Sequence, residues 1–258
     1  MSDFINDDFN NLEEIFQAEE LKRVVPVSGG CIHKAWCLEL LDGKKFFAKT
    51  ASNENISMFA FEANCLNSLQ EFNDEQYIKI PTPIKIKTLE NNSILLFPWL
   101  DLSNGDQTQL GKGLALIHKK STSANLGKFG WEQDGFIGMS IQKGGWSKNW
   151  GDYFINFRLK PQLDLAFKNG LIEFDDGTIF PTLINFLNRH KPYPSLVHGD
   201  LWSGNSSVAR DKKGILYDPA SYWADREVDI AMTQLFGGFS KEFYDGYNSI
   251  WALNNTFN

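Results

Sequence analysis

No stretch of this chain strings together the ~18 apolar residues that a membrane-crossing helix needs, so no membrane partner is expected. Cysteine is scarce, with only Cys31, Cys37 and Cys65 in 258 residues. An odd, sparse set makes no disulfide framework, and no Cys/His group has the spacing of a zinc site. The N-terminal MSDFINDDFNNLEE is acidic and lacks the basic flank and apolar core of a signal peptide. These absences predict a cytoplasmic protein, in a compartment where thiols stay reduced. Positive charge is also short: 25 Lys and Arg stand against 32 Asp and Glu, for a net −7. Phosphate backbones are bound by clustered Lys and Arg, so a general nucleic-acid surface is excluded. A small or local ligand site fits the balance better.

Hydrophobic residues make up 42% of the chain, with 21 Phe and 8 Trp, enough for a large aromatic core. The length allows one large domain or two lobes. The first ~100 residues read as mixed. A short helix over about 9–19 precedes a strand at LKRVVPV, a Gly turn at SGG and a second strand at HKAWCLELL. Asp42-Gly43 is a hairpin signal, KKFFAKT a third strand, MFAFEANCLNSLQ a helix, and NNSILLFPWL a buried strand. Helical patterns then dominate: QLGKGLALIHKKS, NWGDYFINFRLKPQLDLAFKNG, FPTLINFLNRH and the final DREVDIAM and KEFYDGYNSIW. A Gly/Trp-rich loop is predicted over about 129–150, and short β/turn pieces over 195–219.

The chemistry concentrates in LVHGDLWSGN, residues 196–205. His198-x-Asp200, followed five residues later by Asn205, has the spacing of the kinase catalytic loop H-R-D-x-x-x-x-N. Phosphoryl transfer needs a carboxylate to accept the proton of the attacking hydroxyl, which Asp200 supplies. It also needs hard oxygen ligands for magnesium, and the Asn205 carbonyl is one. Read alone, the loop is equally a polar turn capped by Asp and Asn. Asp218 tilts the balance. It ends the apolar run GILY, where a second metal-binding Asp belongs, although Pro219-Ala220 replaces the usual Phe-Gly. Upstream, Lys49 in FFAKT has the strand context of a phosphate-binding Lys, and Glu62 lies on the next helix as its partner. Gly29 and Gly30 in VSGGCI let backbone N–H groups approach phosphates, although any hairpin would use glycines there.

These stretches, with YDPASYWADREVDIAM, LFGGFSKEFYDGY, FGWEQDGFIG and RLKPQL, resemble the fructosamine kinase (ketosamine 3-kinase) family over roughly residues 20–250. That family is a branch of the protein-kinase-like and aminoglycoside-phosphotransferase-like superfamily. The resemblance implies an α+β bilobal fold, with a β-rich N-lobe at 1–97 and a mainly helical C-lobe at 98–258. It implies ATP and Mg2+ as cofactors and phosphorylation of the 3-hydroxyl of a small or protein-bound ketosamine, such as a fructosamine, ribulosamine or erythrulosamine. The product then decomposes and frees the amine, a deglycation or repair activity.

By position, Asp200 is then the base, Asn205 and Asp218 bind magnesium, Lys49 and the Gly29/Gly30 loop hold ATP, and Glu62 pairs with Lys49. Trp202 lines the sugar site, with a core aromatic as the competing reading. His198 and Asp229 support the catalytic loop, and His118 is a packed helix residue. A monomer is expected, with Cys31 in the Gly loop open to a redox-linked dimer or idle as a spectator thiol. Two rivals stand: another small-molecule kinase of the aminoglycoside or choline type, and a weakly active nucleotide-binding module. The second rests on the end of the chain, since members of the family usually continue past WALNNTFN. Gly135 also departs from the family, whose members usually carry Asn there.

Overall fold

The computed structural model describes residues 21–27, 33–173 and 179–254. Gly29, Gly30, Cys31 and the helix expected over 9–19 lie outside the described residues. The N-terminal part is a five-stranded antiparallel sheet of order β1-β2-β3-β6-β5. Its strands are β1 (Leu21–Val27), β2 (Lys34–Leu40), β3 (Lys45–Ser52), β5 (Lys85–Thr88) and β6 (Asn92–Pro98). The β2–β3 turn forms at Asp42-Gly43, where Asp42 Oδ1 accepts the Lys44 N–H at 2.9 Å. Helix α1 (Ile56–Phe72) crosses between β3 and the two-residue β4 (Ile78–Lys79).

Strand side chains alternate in direction, so the sheet has two different faces. Trp36, Leu38, Ala48, Ile94 and Leu96 pack together on one of them. Lys49 sits opposite Leu95 in the β3–β6 register and shares its face, the one that looks toward α1. On α1 the buried positions Phe59, Glu62, Ala63, Leu66 and Leu69 recur at helical spacing. Glu62 is thus a charge placed in the middle of an apolar stripe. That stripe belongs to the largest core cluster, which runs through Leu95 and Phe97 into Leu110, Leu114, Ile117, Leu201, Ile230 and Phe243. One continuous core therefore joins the sheet to the C-terminal helices.

Beyond β7 (Leu102–Ser103), the C-terminal part is led by α2 (Thr108–Ser121). The stretch expected as loop over 129–150 instead forms four short strands: β8 (Phe129–Trp131), β9 (Gly135–Ile137), β10 (Ser140–Gln142) and β11 (Gly145–Ser147). Their partners explain the difference. β8 is sandwiched between β11 and the distant β15 (Tyr222–Ala224), in a sheet of order β11-β8-β15-β12 that includes β12 (Ser195–Val197). No local pattern reports such a pairing. A continuous helical run follows: α3 (Trp150–Tyr153), a π-helical turn (Phe154–Leu159) and α4 (Lys160–Lys168). Next come α5 (Ile179–His190), a second small sheet containing β13 (Ser206–Ala209) and β14 (Gly214–Leu216), then α6 (Glu227–Leu235) and α7 (Lys241–Trp251). Among the described residues, no helix is long and apolar enough to cross a membrane.

Candidate active site

The catalytic-loop candidates leave β12 and cross to β13, while Asp218 follows β14. Strands β13 and β14 pair antiparallel, with Ser206 opposite Leu216, which brings Asn205 and Asp218 together at their ends. Asn205 Nδ2 donates to Asp200 Oδ2 and to Asp200 O, both at 2.9 Å, and reaches Asp218 O at 3.5 Å. The Asn205 amide is thereby oriented with its nitrogen spent on Asp200, and its Oδ1 receives no hydrogen bond from the described residues. Asp218 adopts φ 56°, a left-handed backbone that Asp tolerates better than most residues and that turns its carboxylate back toward the sheet. Burial raises the Asp200 carboxyl above its usual range. Asp218 and Asp229 add to this, against the pull of His198 and Asn205.

From the other side, Lys49 Nζ donates to Glu62 Oε1 at 2.8 Å and makes a second, shorter ion pair with Asp218 Oδ1. Lys49 is 7% exposed. Burial by itself would lower its ammonium, but Glu62 and Asp218 outweigh that and push it up to about 12. One cation thus serves two carboxylates. Asp218, with a side chain 42% exposed, is held below the usual range by Lys49 despite the cost of its surroundings. Burial drives Glu62 the other way, up to about 7.

The loop itself hangs from Asp229, which is fully buried near the start of α6. Its Oδ2 accepts the His198 N–H at 2.7 Å and its Oδ1 the Gly199 N–H at 2.9 Å. His118 Nε2 adds a third contact to Oδ2 at 3.0 Å. Burial opposes ionisation of Asp229, yet the hydrogen bonds from His118 and Gly199 help hold its carboxyl below the usual range. His118 Nδ1 meets Tyr247 OH at 2.8 Å, and Tyr247 OH accepts from Arg226 Nη1 at 3.1 Å. One assignment satisfies every group. Arg226 donates to Tyr247, Tyr247 to His118 Nδ1, and His118 Nε2–H to Asp229.

His198 is buried at the same place. Burial pushes its imidazole down, and Nε2 lies 3.0 Å from Tyr217 O, so the neutral ring donates there. This leaves Nδ1 to face the Asp200 N–H at 3.4 Å. Gly199 between them has φ 84°, and a Cβ built on it would fall 2.1 Å from Ala220 O. The tight approach of this loop to the Asp218–Ala220 turn requires glycine.

Trp202 is half-buried, its ring edge-on to Phe236 with centroids 6.4 Å apart, and it roofs Gly204. The Gly237-Gly238 break after α6 lies against Ser203, so LFGGF and the catalytic loop form one surface. Gly135 packs closely against α1. A Cβ there would sit 2.4 Å from the Phe61 ring, on the helix turn that carries Glu62, and Phe136 meets Phe61 edge-on at 6.0 Å. Hairpin β9–β10 is therefore a contact from the C-terminal part onto α1.

The structure brings Lys49, Glu62, Asp200, Asn205 and Asp218 together, with His198 and Asp229 beneath them. Sequence reading placed His118 as a packed residue but missed its link to Tyr247 and Arg226, because the partners lie 129 and 21 residues apart and no spacing rule links them. Beside Lys49 the site gathers oxygen donors: the carboxylates of Asp200 and Asp218 and the Asn205 carbonyl. That set suits a hard divalent cation such as Mg2+.

A family model described as fructosamine kinase matches residues 5–258. A probable ketoamine kinase of Synechocystis is 39% identical over 228 residues, covering 87% of this chain and 75% of that protein. A probable ketoamine kinase of Vibrio parahaemolyticus is 35% identical over 240 residues, covering 91% and 80%. Among solved structures, a candidate fructosamine-3-kinase of Haemophilus somnus superposes with TM-score 0.83 at 29% identity, covering 95% of this chain and 82% of that one. A macrolide 2'-phosphotransferase of Brachybacterium faecium, at TM-score 0.59 and 13% identity, shares the fold.

Proposed function

The chain belongs to the fructosamine kinase family, and on that premise we propose that it transfers the γ-phosphoryl group of ATP to the 3-hydroxyl of a ketosamine. Residues 1–97 form the nucleotide lobe in this reading and 98–258 the catalytic lobe. The observation that carries it is the convergence on Asp218: Lys49 of β3, held by Glu62 of α1, pairs with it from one side, and Asn205, bonded to Asp200, reaches it from the catalytic loop.

Each side chain then has one task. Lys49, fixed by Glu62 and fully charged, holds the nucleotide phosphates. Asp200 accepts the proton of the sugar hydroxyl through the carboxylate that Asn205 orients. Its raised pKa makes it a better base than an ordinary surface carboxylate. Asp218 and the Asn205 Oδ1 hold Mg2+, which neutralises charge on the transferring group when bound. Gly29 and Gly30 would offer backbone N–H groups to the phosphates. His198 and Asp229 keep the loop in register, and the Trp202 face lies against the C–H surface of the sugar. Phosphorylation next to the ketose carbonyl is what would release the amine, so deglycation is the role proposed. The net charge of −7 agrees with a small or protein-bound sugar amine rather than nucleic acid as substrate.

The test is Asp200→Asn, assayed with ribulose-lysine and fructose-lysine beside a choline and aminoglycoside panel. Turnover of a sugar amine should fall by about 10²–10⁴, the worth of a general base, while a fluorescent ATP analogue still binds. Undiminished turnover, or a wild-type preference for choline or an aminoglycoside, overturns the reading.

A further inference from the structure

We propose that His190, Asp225 and Glu227 form a second divalent-cation site, at the back of the C-terminal part, for a borderline metal such as Zn2+. His190 is the last residue of α5, and Asp225 and Glu227 flank the start of α6. His190 Nε2 lies 3.1 Å from Asp225 Oδ2 and 3.5 Å from Glu227 Oε2, and all three ligand atoms fall within 4.8 Å of one another. Metal bonds of about 2.0–2.2 Å set tetrahedral edges of about 3.3–3.6 Å, close to those separations.

A plain ion pair accounts for the cluster less well. Nε2 carries at most one N–H, which points at one oxygen, whereas two carboxylates converge on it. A cation facing the Nε2 lone pair serves both.

Asp225 supplies the second, separate argument. It is 5% exposed, and among the described residues its carboxylate has no hydrogen-bond partner outside the trio. The neighbouring Arg226 offers little relief, because its donors go to Tyr247 OH, Trp251 O and Ala252 O. The Glu227 backbone N–H donates to Asp225 Oδ1 at 3.0 Å, which fixes the carboxylate with Oδ2 directed at His190. This is how supporting hydrogen bonds aim a monodentate ligand. A cavity of about 140 Å³ opens on the trio, with Lys191 and Tyr193 on its wall, leaving room for water in the remaining coordination position. One imidazole and two carboxylates match Zn2+ better than Mg2+ or a thiolate-loving ion.

The site would tie the end of α5 to the start of α6. Asp229, two residues beyond Glu227, holds the catalytic loop, so the ion would brace that loop from behind.

Cobalt(II) reports the site directly. Titrated into the full chain in millimolar Mg2+, without ATP or sugar, it should bind with the visible d–d bands of a nitrogen/oxygen site. His190→Ala and Glu227→Gln should each weaken this uptake by at least about tenfold, while metal-free melting and Mg2+-dependent turnover stay at the wild-type level. Zn2+ should compete the cobalt out and raise the melting temperature of the wild type only. Absence of uptake, thiolate charge-transfer bands, or equal affinity in both variants overturns the proposal. Binding is read without turnover, so failure here is separate from failure of the kinase assignment.

Discussion

Asp229→Asn keeps the shape of the buried residue and removes its charge, which makes it a sharp probe of how the catalytic loop is held. The carboxylate accepts three hydrogen bonds: His198 N and His118 Nε2 on Oδ2, Gly199 N on Oδ1. An amide has one acceptor oxygen and one NH2 group. If its oxygen takes the Oδ2 place, the NH2 faces the Gly199 N–H; if it takes the Oδ1 place, the NH2 faces the His198 N–H. His118 can change tautomer to suit, but a backbone donor cannot turn away. One fixed, buried N–H is therefore left facing another N–H in either rotamer.

An unsatisfied buried donor costs about 1–3 kcal/mol, and the surviving bonds lose their charge assistance, so we expect about 2–4 kcal/mol. Against a typical stability of about 5–15 kcal/mol the protein still folds, and the loss is measurable. Urea unfolding should show a lower midpoint with an unchanged slope. Amide exchange at His198 and Gly199 should accelerate, and turnover should fall at least about tenfold, since small displacements of a reacting group are costly. A variant within about 0.5 kcal/mol of wild type, the range of a neutral surface change, would refute the geometry.

Gly199→Ala places a methyl 2.1 Å from Ala220 O at φ 84°, so it should destabilise by about 2–4 kcal/mol and remove turnover. A variant that melts within a degree of wild type contradicts it. The pH dependence follows from His198, whose imidazole is held neutral below its ordinary pKa by burial. The unfolded chain takes up a proton near pH 6.5 that native His198 refuses. Its contribution is thus complete above that pH and declines as pH falls below it, toward the folded pKa. Melting between pH 7.5 and 5.5 should show this decline, and His198→Gln, which keeps a donor for Tyr217 O, should flatten it. An unchanged slope in the variant would be wrong for this model.

Legibility in the sequence followed the range of the interactions. Strand β1 was readable as a Val-rich run ending at a Gly turn signal, and the Asp42-Gly43 turn from local turn chemistry. Helix α1 was readable from its apolar spacing, and Glu62 was picked out by its place on the helix after Lys49; its position inside the buried stripe appeared only in the fold. Asp200 and Asn205 were found because one short loop fixes their spacing. The strands over 129–147 escaped because β8 depends on β15, more than ninety residues onward. The His118–Tyr247–Arg226 chain escaped for the same reason, each residue looking like ordinary helix packing until α2, α6 and α7 meet. His118 was read as packed, and it is fully buried; what the pattern omitted is that its two nitrogens join Tyr247 to Asp229.

The charges around Asp218 make the requirement for a divalent cation a consequence of the site rather than of analogy alone. Glu62 and Asp218 share a single Lys49, and Asp200 is tied to the same cluster through Asn205, so the ionised cluster carries a surplus of two negative charges. ATP brings several more into a region where burial already raises Glu62 and Asp200. Lys49 cannot offset both, because Glu62 holds it from within the core at 2.8 Å. Asp218 is the member with the freedom to change partners, being more exposed than Glu62 and still ionised. In the proposed reading, Asp218 and the Asn205 carbonyl would hold a hard dication whose charge would offset the local negative field, leaving Lys49 free to turn toward the phosphates. Glu62 then keeps the one role its burial permits, which is to hold the lysine in place.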